Sequence, residues 1–147
     1  MIPTFSKPRV LSKSQIDEAV EFHGHSGLLL LLGLRMGQLA LRLLNAKGYF
    51  DISCVIELSK WSPPDSCIID GIQFSTGCTM GKHNIEIIEG KDGIATTFTK
   101  EGKPLRIELR SSFLNAVRKA LEEKDEEKLK QQIIDAVDMD IFEVRRT

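Results

Sequence analysis

Two short clusters, well separated in the chain, hold most of the residues that could bind a metal. Phe22-His23-Gly24-His25 carries two of the three histidines. Cys67-Ile68-Ile69-Asp70-Gly71-Ile72-Gln73, running on to Thr76-Gly77-Cys78-Thr79 and Gly81-Lys82, carries two of the three cysteines. Imidazole and thiolate are the ligand types preferred by zinc and other borderline-soft metals. The leading reading is therefore a transition-metal site, zinc above all, built from His23, His25, Cys67 and Cys78. In extended backbone, residues two apart point to the same side, so both histidines can face one ion. Cys67 falls near the start of a helix signal, where the positive end of the helix dipole favours the thiolate. Asp70 lies one turn further on the same helical face. It is placed to ligate, to orient a histidine or to carry a proton, and is the candidate catalytic residue.

Each of these residues also has a plain structural reading. One histidine can cap the following helix while the other faces solvent. Cys67 can be a small buried apolar residue, as free cysteines usually are. Asp70 can be an exposed helix carboxylate, and Cys78 can sit in a tight turn. Spacing adds a constraint. An unbroken helix from Cys67 to Thr76 separates those Cα atoms by about 13 Å at ~1.5 Å per residue. Only Gly77 and Cys78 remain to double back, while each zinc–sulfur bond is about 2.3 Å. A four-ligand set then needs an early helix end, a sharp return or a second subunit. The other set left open is both histidines with one cysteine plus Asp70 or solvent. Around Cys78, Thr76, Thr79 and Lys82 supply hydroxyls and a cation, and Gly77 and Gly81 expose backbone. Thr79 and Lys82 are the candidates for holding an anionic cofactor. Cys54, beside Val55 in a strand signal, reads as core. His83 is either an extra ligand near the Gly81-Lys82 loop or, as favoured here, a substitution without functional consequence.

The elements that must position these residues follow from periodicity. Ser12-x-x-Gln15 is a capping-box signal ahead of Ile16, Ala19, Val20 and Phe22. Ser26 and Gly27 open a long apolar helix predicted to end near Asn45, with Gly48 as a stop signal. Arg35 and Arg42, seven apart, share one of its faces. Ile52–Leu58 reads as a strand. Ser62 and Pro63 are placed to start a helix running to roughly Phe74, with Gly77 stopping it. Strands are predicted at Ile85–Ile88, Ile94–Thr99 and Leu105–Leu109, joined by hairpin turns at Glu89–Gly93 and Lys100–Lys103. From Ser112 the chain reads as helical and heavily charged, divided near Asp125. Together these predict an α+β fold: a small, mainly antiparallel sheet packed with several helices, including a long buried helix in the N-terminal part, and a helical C-terminal segment over 112–147.

The whole chain sets further bounds. Its 147 residues are expected to form one domain able to bury a core without staples. Composition is that of a globular protein, 41% apolar and 28% charged, and a net charge of −1 argues against a nucleic-acid partner. Three cysteines in this context fit reduced thiols in a cytoplasm better than a secreted disulfide framework. Met1 to Val10 lacks the apolar core of a signal peptide. Leu28–Leu44 is about 17 residues long against the roughly 20 a membrane span needs, and contains two arginines, so no membrane association is expected. The helix is apolar nearly all round, and closed two-fold dimers are the commonest soluble assembly. A homodimer is therefore expected.

The order of these pieces resembles the core domain of the E-subunit family of formylmethanofuran dehydrogenase. The matching pieces are Phe22-His23-Gly24-His25, Gly33-x-Arg35-x-Gly37, Cys67 to Gln73, and Thr76-Gly77-Cys78-Thr79-x-Gly81-Lys82-x-Asn84. The resemblance runs from about Ile16 to Leu109, with a family-like ending at Ile141-Phe142-Glu143-Val144. Two features depart from it. Many members carry Cys and Pro shortly after the second histidine, where this chain reads Ser26-Gly27-Leu28; many have glycine in place of His83. The missing cysteine removes one ligand, so those members' metal site does not carry over whole. The resemblance implies association with formylmethanofuran dehydrogenase chemistry, or with molybdenum or tungsten cofactor biology, and a dehydrogenase complex as partner. No four-cysteine set for an iron–sulfur cluster is present. The rival classes are a non-catalytic accessory module with a structural metal or none, and a thiol redox protein, which would lack the usual Cys-x-x-Cys motif.

Overall fold

The structure, a computed structural model, describes residues 12–146; the reading of Met1 to Val10 lies outside the described residues. Ser12 caps the first helix, α1 (Lys13–His23), through a full capping box: its hydroxyl accepts from the Gln15 N–H, and the Gln15 side chain accepts from the Ser12 N–H. The apolar helix α2 (Leu28–Leu43) follows, with only Arg35, Gln38, Arg42 and Leu43 outside the buried set. Strand β1 (Ser53–Leu58) alternates in burial, with Cys54, Ile56 and Leu58 inward. A turn over 63–66, containing a cis Pro63–Pro64 bond, leads into helix α3 (Cys67–Thr76). Ser62 and Pro63 thus form a turn, and the helix starts later than their signals predict. Gly77, left-handed at φ 77°, stops it.

Among the described residues, helices α2 and α3 share the most extensive contact between two elements. Two bare glycines meet there. A Cβ on Gly33 would lie 2.3 Å from the Ile68 carbonyl oxygen, and one on Gly71 would lie 2.3 Å from that of Leu30. The obstructing atoms are backbone, which cannot move aside, so any side chain would force the helices apart. Close approach buries Leu30, Leu34, Ile68 and Ile72 almost completely. At ~1.5–3 kcal/mol for each large aliphatic side chain, this contact is a major source of stability. The Ser75 hydroxyl fits above Gly37 and donates to the Gly71 carbonyl at 2.9 Å.

The remaining strands are β2 (Ile85–Glu89), β3 (Ala95–Lys100), β4 (Lys103–Leu109) and β5 (Phe142–Arg146). They form with β1 a five-stranded sheet in the order β2-β1-β3-β4-β5. Three pairings are antiparallel, and β1 with β2 is parallel, Cys54 facing Ile85. The β3–β4 hairpin forms as predicted, turning on Glu101 and Gly102 at φ 51° and 75°, the left-handed pair a two-residue hairpin turn requires. The hairpin predicted at Glu89–Gly93 does not form, because β1 lies between β2 and β3. The C-terminal part comprises α4 (Ser111–Glu123), α5 (Glu127–Asp135), α6 (Asp138–Ile141) and then β5. Asp125 lies between α4 and α5, as predicted. The wholly helical ending is corrected: Phe142 is buried, and the residues after it complete a ladder with β4. Among the described residues, no helix is long and apolar enough to cross a membrane.

Candidate metal centre

His23 is the last residue of α1. Gly24 follows in the left-handed region at φ 104°, its N–H donating to the Val20 carbonyl at 2.7 Å. This stop reverses the chain, bringing the His25 ring back to 4.6 Å from that of His23, centroid to centroid. A helix end, not an extended segment, therefore unites the two imidazoles. Gly27 assists by omission, since a Cβ there would sit 2.8 Å from His25 Cε1.

The start of α3 supplies the rest. Cys67 is its first residue and Asp70 lies in its first turn. One ligand atom from each of His23, His25 and Cys67 lies within 4.8 Å of the others. Asp70 Oδ2 stands 2.6 Å from His23 Nδ1. An ionised carboxylate only accepts, so the proton sits on Nδ1 and the lone pair on Nε2. His23 Nε2 is itself buried without a hydrogen-bond partner among the described residues. Buried polar nitrogens are rarely left unmatched. A histidine held by a carboxylate on one nitrogen, with its other nitrogen bare among further donors, is the arrangement of metal-ligating histidines. The donor set thus fits a borderline metal such as zinc.

The Cys67 thiol is not lowered as its helix position predicts. Burial pushes it up, and Asp70 and Asp65 add to that in turn. The two carboxylates and desolvation outweigh the helix end, which is worth about 0.3–1 kcal/mol at an exposed site. Asp65 is buried and held by the Arg118 guanidinium through two bonds of 3.1 and 3.0 Å. This pair ties the approach to Cys67 to α4, and Asp65 pushes Arg118 above its ordinary range.

Cys78 lies elsewhere, beyond the opposite end of α3. It is buried, its Sγ donates to the Ile52 carbonyl at 3.4 Å, and its N–H donates to Thr76 Oγ1 at 3.0 Å. Its thiol also shares a hydrogen bond with Cys54, which pushes Cys54 up and Cys78 down. The structure therefore brings together His23, His25 and Cys67 with Asp70 behind, and does not bring Cys78 to them. Thr79 and Lys82 lie at the Cys78 end. Lys82 Nζ donates to the Gly77 carbonyl at 2.8 Å and Thr79 Oγ1 at 3.2 Å, and stands 5.5 Å over the Phe50 ring. Its charge serves the C-terminal end of α3, where cations are favourable. His83 is exposed at φ 60°, a left-handed turn position. The Arg118–Asp65 pair was missed by sequence reasoning, because a separation of 53 residues leaves no periodic signal.

An α+β domain with a histidine–histidine–cysteine cluster backed by a carboxylate is the class of protein that this fold and site define. The family described as "FmdE, Molybdenum formylmethanofuran dehydrogenase operon" matches residues 22–143, which include both clusters, and the chain belongs to that family. A probable S-adenosyl-L-methionine-binding protein of Archaeoglobus fulgidus is 31% identical over 96 residues, covering 60% of this chain and 25% of the relative. The chain thus spans about a quarter of that curated relative's length. In fold, the chain is similar to a tungsten formylmethanofuran dehydrogenase FmdE-like protein from Syntrophus aciditrophicus. The TM-score is 0.64 at 20% identity, over 97% of this chain and 77% of the other.

Proposed function

We propose that this protein binds one transition metal per chain, zinc in the first instance, through His23 Nε2, His25 and Cys67, and that the ion has a functional role. The observation that carries this reading is the bare, buried His23 Nε2, on a ring backed by Asp70 and clustered with two further donors, His25 and Cys67. Three protein ligands with an open fourth position are the pattern of catalytic rather than structural zinc. A zinc ion bound there would supply Lewis acidity toward an oxygen-bearing substrate. The protein's own part is to hold the His23 ring by its Asp70 contact and to admit a ligand on the exposed side, where Asp70 is 37% and Phe22 62% exposed. Asp70 is the group positioned to carry a proton at this site.

The family points the reaction toward formylmethanofuran dehydrogenase chemistry or the handling of a molybdenum- or tungsten-related cofactor, as a homodimer or within a dehydrogenase complex in the cytoplasm. The alternative is an accessory protein whose metal only holds the fold. The α2–α3 contact favours the functional reading, because backbone packing and apolar burial already fix α3 without an ion. Metal analysis of the purified protein, with anomalous scattering at the zinc edge, tests the proposal. About one zinc per chain at the three named ligands is expected, and a protein with neither bound metal nor affinity for zinc or cobalt overturns it. Loss of the fold on chelation would select the accessory reading.

A further inference from the structure

A second site lies away from the metal cluster, on the polar stripe of α2. The polar side chains of that helix, Arg35, Gln38 and Arg42, all line one cavity of about 330 Å³ between α1, α2, α5 and α6. Its apolar walls are Ile16, Leu31, Ile133 and Ile134. Ile16 is two helical turns, roughly 10 Å, from His23 along α1, and the cavity shares no lining residue with the metal cluster.

The charges in this cavity do not balance. Arg35 donates to Asp138 at 2.6 Å and to the Ile133 carbonyl at 2.5 Å, closing the end of α5. Arg42 donates to the other oxygen of the same carboxylate through one terminal nitrogen. Two guanidiniums thus share one carboxylate, leaving a net charge of +1 among these three groups. Arg35 alone suffices to hold Asp138 and cap α5. Arg42, half-exposed at the rim, spends one terminal nitrogen on Asp138 and, among the described residues, keeps Nε and its second terminal nitrogen to donate. A single uncompensated positive charge, a planar donor group and aliphatic walls select a monoanion with an apolar body. The volume falls within the ~300–1,000 Å³ range of small-molecule sites, and guanidinium geometry matches a carboxylate.

We propose that this cavity binds a monocarboxylate with an aliphatic body, its head on Arg42 and Gln38 and its chain between Ile16, Leu31 and Ile134. This site stands apart from the metal reading and is expected to work in metal-loaded and chelated protein alike. The test titrates the isotopically labelled full chain with octanoate, 1-octanol and acetate, followed by amide shifts in NMR spectra. Octanoate should perturb amides of α1, α2 and α5 and bind at least about 10-fold tighter than 1-octanol or acetate, a charge-assisted bond being worth roughly that factor or more. Arg42→Gln should abolish the advantage of octanoate over octanol. Ile134→Trp, at a position already 42% exposed, should block octanoate by filling the mouth. Octanoate binding no tighter than octanol, shifts confined to other elements, or octanoate affinity unaltered by Ile134→Trp would each overturn the proposal. The Ile134→Trp arm stands even where Arg42→Gln fails to fold.

Discussion

The two ends of α3 carry the same reactive residue in opposite settings. At the N-terminal end, Cys67 is half-buried, lies beside His23 at the end of α1 and His25 just past it, and is raised chiefly by burial. Beyond the C-terminal end, Cys78 is a buried free thiol hydrogen-bonded to the Ile52 carbonyl, and lowered chiefly by its hydrogen bond with Cys54. Between them runs the glycine contact that pins α3 to α2. One end of the helix is free to meet a ligand because the middle is clamped, and the other end is sealed into the core. A thiol's role here depends on which end of a fixed rod it occupies.

Breaking the clamp should erase the distinction altogether. Gly71→Val would drive side-chain atoms into the α2 backbone, since even its Cβ would lie 2.3 Å from the Leu30 carbonyl oxygen. We expect a loss of at least about 3 kcal/mol, at or beyond the upper end of ordinary overpacking, read as a falling urea midpoint. An unchanged midpoint would mean that α2 and α3 are not in this contact.

With the clamp intact, metal affinity should separate the two ends. Cys67→Ala is expected to weaken zinc binding by at least about 10-fold, measured by competition with a chromophoric chelator. Equal affinity in wild type and Cys67→Ala would remove Cys67 from the site. Asp70→Asn sharpens the same end without deleting a ligand. An amide can hold the His23 ring but no longer supports its basicity, so a loss near 10-fold is expected; Asp70→Ala should lose more. Wild-type affinity in Asp70→Asn would show that the carboxylate's charge is irrelevant. The smallest metal effect is expected at the other end. Cys78→Ala and Cys54→Ala should leave zinc affinity within about twofold and each cost about 1 kcal/mol of stability, the usual size of a modest core truncation. A tenfold loss of zinc affinity in Cys78→Ala would restore Cys78 as a ligand.

Much of the fold is legible in local sequence. The Ser12 capping box, the apolar run from Leu28, the left-handed stop at Gly77 and the Glu101-Gly102 turn each act over a few residues, and each appears in the structure. What escaped is non-local. The Glu89–Gly93 segment has hairpin composition, but turn chemistry does not say which strand will be the neighbour, and β1 occupies that place. Phe142-Glu143-Val144 lies in the segment expected to be helical and has a family-like ending; its strand character comes from the waiting edge of β4. The two clusters were visible as candidate donors. Their sorting was not, because it depends on where α3 starts: beginning it at Cys67 and sealing its far end decides which cysteine can reach His23 and His25.

The sheet order also bears on self-association. Its outer strands are β2, with exposed Glu86 and Glu89, and β5, with exposed Arg145 and Arg146. Both borders thus carry charged side chains, glutamates on β2 and arginines beside Glu143 on β5. Charged edges are a common guard against strand addition. Continuation of the sheet into a second copy therefore meets charged side chains at both borders, whereas the helical faces carry no such guard strand.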